Sequence, residues 1–191
     1  MSENMFFDQK ELKYCGKNVI IGKTTRVRQP ELVSIGEGSI IDDFCYISGE
    51  LEIGRYVHIG ASCSLQASKG RIAIGDFSGV ASGVRIFASS SDYINLSFEM
   101  PTVPQGMMYG GILEDVVIEE FVLIGANSVI LPGCHLPKGF SAGALCKLTK
   151  KLPYKPWSVL IDDKYGESVR RIGVDEMLKR AGILAGKEYK K

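Results

Sequence analysis

The chain has 191 residues, enough for one domain with a sizeable buried core. Lys and Arg number 23 against 22 Asp and Glu, so no strong field indicates a nucleic acid or an anionic membrane as partner. No apolar run approaches the ~20 residues that span a bilayer, and no signal-peptide pattern is visible. A cytoplasmic protein without a membrane span is therefore expected.

The first segment, 1–17, carries a helix-capping pattern. Asp8 is followed three residues later by Glu11, which is the spacing of a capping box. The pattern predicts a short helix that covers one open end of the structure that follows.

From 18 to 152 the chain repeats in units of six residues. Neither a helical period nor simple alternation gives this spacing, whereas a parallel β-solenoid does, with three units forming a triangular coil of about eighteen residues. The interval from Ile53 to Ile74 is twenty-one, which predicts a three-residue bulge near Ala67 to Gly70. The aliphatic residues that open the units are Ile35, Ile41, Ile47, Ile53, Ile59, Leu65, Ile74, Val80, Ile86, Ile118, Ile124, Ile130 and Leu136.

The fifth position of each unit holds a small residue that we expect to point inward. Four of the five cysteines fall in this set, and the chain has no Cys-x-x-Cys pair. We therefore interpret these cysteines as compact core residues rather than as catalytic thiols, disulfides or zinc ligands. The fifth-position residues are Ser39, Cys45, Cys63, Ser78, Ser128, Cys134 and Cys146.

The repeat is interrupted over 87–115, and it is followed at 153–191 by a helical extension. A long loop inside a compact solenoid is usually functional, and the large apolar side chains of this loop favour packing over disorder. We expect the loop to leave the coil and to pack on a neighbouring subunit. The extension predicts a helix from about Lys164 that ends at Gly182.

Four segments, 34–59, 87–104, 116–136 and 141–152, resemble the small N-acyltransferases that modify nucleotide-linked amino-deoxy sugars. These enzymes are members of the left-handed β-helix acyltransferases with hexapeptide repeats. The resemblance implies an all-β, left-handed parallel β-helix, although right-handed crossovers are the general rule. It also implies an acyl-CoA donor, with acetyl-CoA expected, and a dTDP-type amino sugar as acceptor. A homotrimer with active sites between subunits, and a role in O-antigen or other surface glycan synthesis, are implied as well.

The resemblance places coenzyme A along the last coils, against small residues whose backbone N–H groups bind the amide carbonyls of its pantetheine arm. An ordinary role in tight coil corners explains the same small residues. The lysines that follow either pair with the phosphates of coenzyme A or solvate a terminal coil. Trp157 matches a tryptophan that relatives place beside the adenine, but their Gly-x-Pro turn is missing here. The residues concerned are Gly125, Ala126, Ala142, Gly143, Ala144, Lys147, Lys150 and Lys151.

The start of the loop lacks the histidine that O-acetyltransferases of this fold use as a general base. An alcohol needs such a base to attack a thioester, whereas a neutral amine is already nucleophilic, so the sequence favours N-acylation. The resemblance makes Asp92 the residue that orients the amine, with Ser82 nearby and the coenzyme A thiolate as proton acceptor. Asp92 alternatively serves as a loop-turn residue. His58 either faces the cleft between subunits or is a surface histidine, and the same two alternatives apply to His135.

Three other functions are known or conceivable for a β-helix of triangular coils. A γ-type carbonic anhydrase needs three metal-binding histidines, and the two histidines here fall on different predicted faces, so no metal is expected. A non-catalytic scaffold leaves the long loop unexplained. An O-acetyltransferase of a sugar or antibiotic hydroxyl is the alternative that remains within the acyltransferases.

Overall fold

The computed structural model describes residues 4–95, 97–161 and 173–190. The predicted solenoid is confirmed: short parallel strands stack into a β-helix, and seven described strands form the second of its three faces. No helix in the described ranges is long and apolar enough to cross a bilayer.

The solenoid strands are paired in parallel, and one antiparallel hairpin, β11 with β12, lies in the loop. In chain order the strands are β1 (Tyr14–Cys15), β2 (Ile20–Ile21), β3 (Arg26–Val27), β4 (Val33–Ile35), β5 (Ile40–Ile41), β6 (Tyr46–Ile53), β7 (His58–Ile59), β8 (Ser64–Ile74), β9 (Gly79–Val80), β10 (Arg85–Phe87), β11 (Ser89–Ser90), β12 (Ile112–Leu113), β13 (Val116–Ile118), β14 (Leu123–Ile124), β15 (Val129–Ile130), β16 (His135–Leu136), β17 (Ser141–Ala142), β18 (Lys147–Leu148) and β19 (Val159–Leu160). Single 3-10 turns occur at Gln9–Glu11, Pro30–Leu32 and Gln105–Met107, and the helix α1 spans Val174–Ala185.

The strands divide into three faces. The first contains β1, β4, β13 and β16, the second β2, β5, β7, β9, β14, β17 and β19, and the third β3, β10, β15 and β18. The long strands β6 and β8 belong to the third face at their start and to the first face at their end, because they bend round the corner between the two. Their pairing slips between Ser48 and Glu50, where β8 carries extra residues, so the predicted bulge is confirmed.

The core is built as the repeat predicts. All thirteen aliphatic residues that open the hexapeptides are buried, and so are all seven fifth-position residues. The serines of the second set also join neighbouring coils: Ser39 Oγ donates to Gly54 O at 2.8 Å and accepts from Val57 N at 3.0 Å. The hydrogen bond with Cys45 and burial raise the pKa of Cys63, which keeps this thiol protonated.

The parallel ladder extends past the predicted limits of 18 and 152 at both ends. Cys15 pairs with Ile35 in the first coil, and Leu160 pairs with Ala142 in the last. The repeat pattern missed the first strand because a cysteine stands where an aliphatic residue opens the other units. The capping box at Asp8 and Glu11 is present, but it caps a single 3-10 turn.

An aromatic column runs along the corner between the first and second faces, and α1 covers it. Tyr56, Phe77 and Phe121 stack at successive coils, with ring centroids 5.1 and 5.4 Å apart, and Trp157, two coils beyond Phe121, lies tilted against it at 5.9 Å. Trp157 reaches Phe121 across Gly139, where any side chain would collide with the indole. Trp157 therefore packs beneath the C-terminal segment, against Phe121 and α1.

The helix ends later than predicted. It continues through Gly182 to Ala185, and Gly186 adopts the left-handed conformation that ends it, so the predicted end at Gly182 is wrong. Buried Leu178 and Ala181 hold this turn against the aromatic column. Gly182 instead allows the following tail to approach, because a Cβ there would lie 3.0 Å from Lys187 O. The predicted start near Lys164 lies outside the described residues.

An ionic cluster around Asp76 fastens the tail to the coil. Asp76 Oδ2 is 3.1 Å from Arg55 Nη2, 2.9 Å from Lys187 Nζ and 2.7 Å from the Tyr189 hydroxyl, which donates to it. Burial alone would raise the pKa of Asp76, but hydrogen bonds from Arg55, Tyr189 and Lys187 outweigh it and lower the pKa to about 2. The cluster therefore stays ionised, and its contribution to stability is lost only as the pH falls below the ordinary pKa of an aspartate and towards 2.

Candidate active site

The corner between the second and third faces, here called the small-residue corner, contains four of the eight residues predicted to contact coenzyme A: Gly125, Ala126, Gly143 and Ala144. It consists of the turns 42–45, 60–63, 81–84, 125–128 and 143–146, which stack coil upon coil. Asn127 N donates to Ser82 O at 3.1 Å, and Leu145 N donates to Ala126 O at 2.9 Å. Ser82 is exposed at this corner, in one column with Ala126 and Ala144.

The backbone groups of this corner divide into two kinds. Gly125 N donates to Ala142 O, and Gly143 N donates to Leu160 O, both at 2.8 Å, so these two N–H groups hold the coils together. The Ala142 side chain is buried in the core. Within the described residues the N–H groups of Ala126 and Ala144 donate to no other group, which leaves them as the donors available to a ligand.

The two histidines lie on different faces, as the repeat predicts. His58 is exposed on the second face, with Nε2 2.9 Å from Asp42 Oδ2 beside the small-residue corner. His135 is on the first face, with Nε2 2.6 Å from Glu119 Oε1. The described residues contain no group of three or more His, Cys, Asp or Glu side chains that could hold a metal ion.

A cavity of about 580 Å³ opens at the corner between the third and first faces, where the loop leaves the coil. We call it the loop cavity. Its volume lies within the range typical of small-molecule sites. It is lined by Phe87, Ser89, Ser90, Ser91, Asp92, Tyr93, Ile94, Ile112, Leu131, Pro132, Thr149, Lys150 and Lys151.

Asp92 is fixed in the wall of the loop cavity by a local turn. Its Oδ1 accepts from Ile94 N and Asn95 N at 3.0 Å each, and its Oδ2 accepts from Asn95 Nδ2 at 2.6 Å. The side chain of Asn95, followed by the backbone N–H groups, lowers the pKa of Asp92. Asp92 is thus both the turn residue that one prediction described and an oriented carboxylate, anionic at neutral pH, that faces a cavity.

The predicted lysines take different positions. Lys150 and Lys151 line the loop cavity, whereas Lys147 is exposed on β18 of the third face. Lys150 Nζ contacts both carboxylate oxygens of Glu114, at 2.5 and 2.7 Å. Glu114 N in turn donates to Ala88 O at 3.0 Å, which ties the returning end of the loop to its start. Sequence reasoning missed Glu114, which no motif marks, and Asn95, which the Asp-x-x-Asn spacing could have suggested.

The β-helix of a single chain does not bring all of the predicted site residues together. Ser82, Ala126 and Ala144 lie at the small-residue corner, with His58 beside it, while Asp92 and Lys150 lie at the loop cavity. The third face separates the two groups. Between Ser82 and the loop the chain passes through β10, which alone spans about 10 Å.

Comparisons with known proteins give a consistent result. The chain is 34% identical over 137 residues to the dTDP-4-amino-4,6-dideoxy-D-glucose acyltransferase of Escherichia coli, a match that covers 70% of each chain. No protein-family profile matches the chain.

The solved structure of AntD, an N-acyltransferase from Bacillus cereus in complex with dTDP and 3-hydroxybutyryl-CoA, is 26% identical with a TM-score of 0.80, over 96% of this chain and 100% of that one. A serine-to-alanine variant of AntD in complex with dTDP-4-amino-4,6-dideoxyglucose and coenzyme A is 28% identical with a TM-score of 0.82, over 96% and 99%. A hexapeptide-repeat acetyltransferase of Vibrio cholerae, at 15% identity and a TM-score of 0.51 over 86% and 73%, shares the fold.

The coils of the β-helix are interrupted by one long loop that lines a cavity, and the whole arrangement is similar to AntD. The chain is therefore a β-helix acyltransferase of the hexapeptide-repeat class. Within that class, the chain belongs to the family of the dTDP-4-amino-4,6-dideoxy-D-glucose acyltransferases.

Proposed function

We propose that this protein transfers an acyl group from acyl-CoA to the amino group of a dTDP-linked amino-deoxy sugar. The observation that carries the proposal is Asp92, an anionic carboxylate fixed in the wall of a cavity whose lining contains no histidine. An anion placed there attracts and orients an amino group, but a carboxylate with a lowered pKa is a poor base for an alcohol. The arrangement therefore favours an amine as acceptor.

The reaction needs few groups from the protein. The neutral amine nitrogen attacks the thioester carbonyl, the new C–N bond forms as the C–S bond breaks, and the departing coenzyme A thiolate takes the proton that the amine loses. Asp92 orients the amine for this attack. The N–H groups of Ala126 and Ala144 are suited to bind the amide carbonyls of the pantetheine arm, and Lys150 and Lys151 are suited to phosphate.

The active site of this proposal lies between two subunits of a homotrimer. One chain supplies the small-residue corner, with Ser82 and beside it His58, and its neighbour supplies the loop cavity with Asp92. AntD supports the choice of Ser82 and Asp92 as site residues, because solved variants of that enzyme replace a serine and, ten residues further on, an aspartate. Ser82 and Asp92 are separated by the same ten residues. We further propose that the reaction takes place in the cytoplasm and provides sugars for O-antigen or other surface glycans.

Release of free thiol from acyl-CoA tests the proposal. The purified protein is given acetyl- or butyryl-CoA and either dTDP-4-amino-4,6-dideoxyglucose or the matching dTDP sugar with a hydroxyl at that position. We expect thiol release and amide formation with the amine, and at least ~100-fold less with the hydroxyl, because the loop cavity that orients the acceptor is lined by no histidine that could act as general base.

Two results would contradict the proposal. Thiol release with the hydroxyl sugar at a comparable rate would identify an O-acyltransferase and would direct the search for a base to His58. The absence of thiol release with either sugar and either donor would favour a non-catalytic scaffold.

A further inference from the structure

The hydroxyl, phosphate and amino groups of the substrates do not explain the composition of the loop cavity. Its ionic groups are Asp92, Lys150 and Lys151, which suffice for an amine and for phosphate. Much of the remaining lining is aliphatic or aromatic: it comprises Phe87, Tyr93, Ile94, Ile112, Leu131 and Pro132. Sugar hydroxyls and phosphates gain nothing from such a surface, because they need hydrogen-bond partners.

The apolar side chains come from three parts of the chain that the fold brings together. Phe87 is the last residue of β10 and Leu131 directly follows β15, and since Ile86 pairs with Ile130 they are neighbours on successive coils. Ile112 comes from the hairpin in the loop, where Ser90 pairs with it. We call these three residues the apolar wall. It stands in the same cavity as Asp92, which orients the amine, so a group bound on it is close to the reacting nitrogen.

The reacting acyl carbon must meet the amine, and its alkyl chain must lie near that point. We propose that the apolar wall binds the acyl chain, and that the enzyme prefers donors with a longer acyl chain, such as butyryl-CoA, to acetyl-CoA, with Phe87, Ile112 and Leu131 as the residues that determine this preference. This inference rests on the proposed function. The methyl of an acetyl group covers little of a wall made of three large side chains, whereas a butyryl chain covers more of it.

The preference is measured as kcat/KM for acetyl-, propionyl-, butyryl- and hexanoyl-CoA with the dTDP-amino sugar as acceptor. Each methylene buried on the wall should raise kcat/KM by about 3- to 4-fold, so butyryl-CoA should exceed acetyl-CoA by about 10-fold. Equal values for the four donors, or a decline from acetyl to butyryl, would overturn the inference while leaving the proposed function intact. No thiol release with any donor would overturn both.

A pair of adjacent residues supplies the matched variants. Ile112 lines the loop cavity and Leu113, the next residue of β12, does not, although both are partly exposed. Ile112→Trp should reduce kcat/KM for butyryl-CoA at least ~10-fold more than for acetyl-CoA, since the indole occupies the space of the longer chain. Leu113→Trp should keep the wild-type preference.

The variants also separate the acyl chain from the sugar as occupant of the wall. If Ile112→Trp lowers kcat/KM equally for all donors and raises KM for the sugar, the wall binds the methyl group of the deoxy sugar and the inference is wrong. A change of donor preference in Leu113→Trp as large as that in Ile112→Trp would also overturn it, because the effect would then come from the hairpin and not from the cavity.

Discussion

Asp92→Asn is expected to lower kcat/KM for the amino sugar by about 100-fold, the loss that a misplaced reacting group can cause. The substitution keeps an oxygen that can accept from Ile94 N and Asn95 N, so the turn should persist. What it removes is the negative charge that faces the loop cavity. Since the turn lowers the pKa of Asp92, the charge is present throughout the neutral range, and the loss should be similar at every pH from 6 to 9.

Glu99→Gln is the matched control for this substitution. Glu99 lies in the same loop and loses the same charge, but it does not line the loop cavity. We expect it to keep kcat/KM within about 3-fold of the wild type. Equal losses in both variants would show that Asp92 acts only through the net charge or the folding of the loop. A Tm for Asp92→Asn well below that of the wild type would show the same.

Ile41→Ala is expected to lower the free energy of unfolding by about 2–5 kcal/mol, the cost of removing a large aliphatic side chain from a packed core. Ile41 opens a hexapeptide on the second face, has no exposed surface, and pairs with Ile21 and Ile59 of the neighbouring coils. Adjacent coils cannot close the gap without breaking their ladder of hydrogen bonds. Urea denaturation measures the change.

Ile40→Ala serves as the comparison, because the same side chain is truncated one residue earlier in the same strand. Ile40 points outward and is 36% exposed, so its loss should cost less than about 1 kcal/mol. Both variants should be unfolded at several protein concentrations, so that an effect at a subunit contact appears as a concentration dependence. Costs of equal size at low concentration would contradict the assigned inward and outward positions.

The fold could be predicted almost completely, because every hexapeptide carries the same pattern of aliphatic and small residues. Each unit of six residues needs an aliphatic residue at its first position and a small one at its fifth, and all twenty predicted positions are buried. The ends of the repeat carry weaker signals. Cys15 replaces the expected aliphatic residue of the first coil, and Gly182 stops a helix in isolation but not one held by Leu178 and Ala181.

The site could be predicted only in part, because its geometry depends on contacts that no repeat encodes. Asp92 and Lys150 could be named, and the structure brings them to one cavity. The partner of Lys150, Glu114, comes from the far end of the loop, 36 residues away, and no motif marks it. Sequence alone also could not show that Ser82 and Asp92 lie at opposite edges of the third face, since that follows from the position of each turn in its coil.

The measurement that tests this account most directly is the activity of mixed trimers. Ala144→Trp blocks the small-residue corner at an exposed position, Asp92→Asn disables the loop cavity, and each variant alone should be nearly inactive. The two are co-expressed with different affinity tags and purified through both tags, so that every trimer contains both chains. If a site joins the corner of one subunit to the cavity of its neighbour, about one third of the sites in each mixed trimer are intact, and about one third of wild-type activity should return. Mixed trimers as inactive as the single variants would contradict the account, because each active site would then lie within one chain.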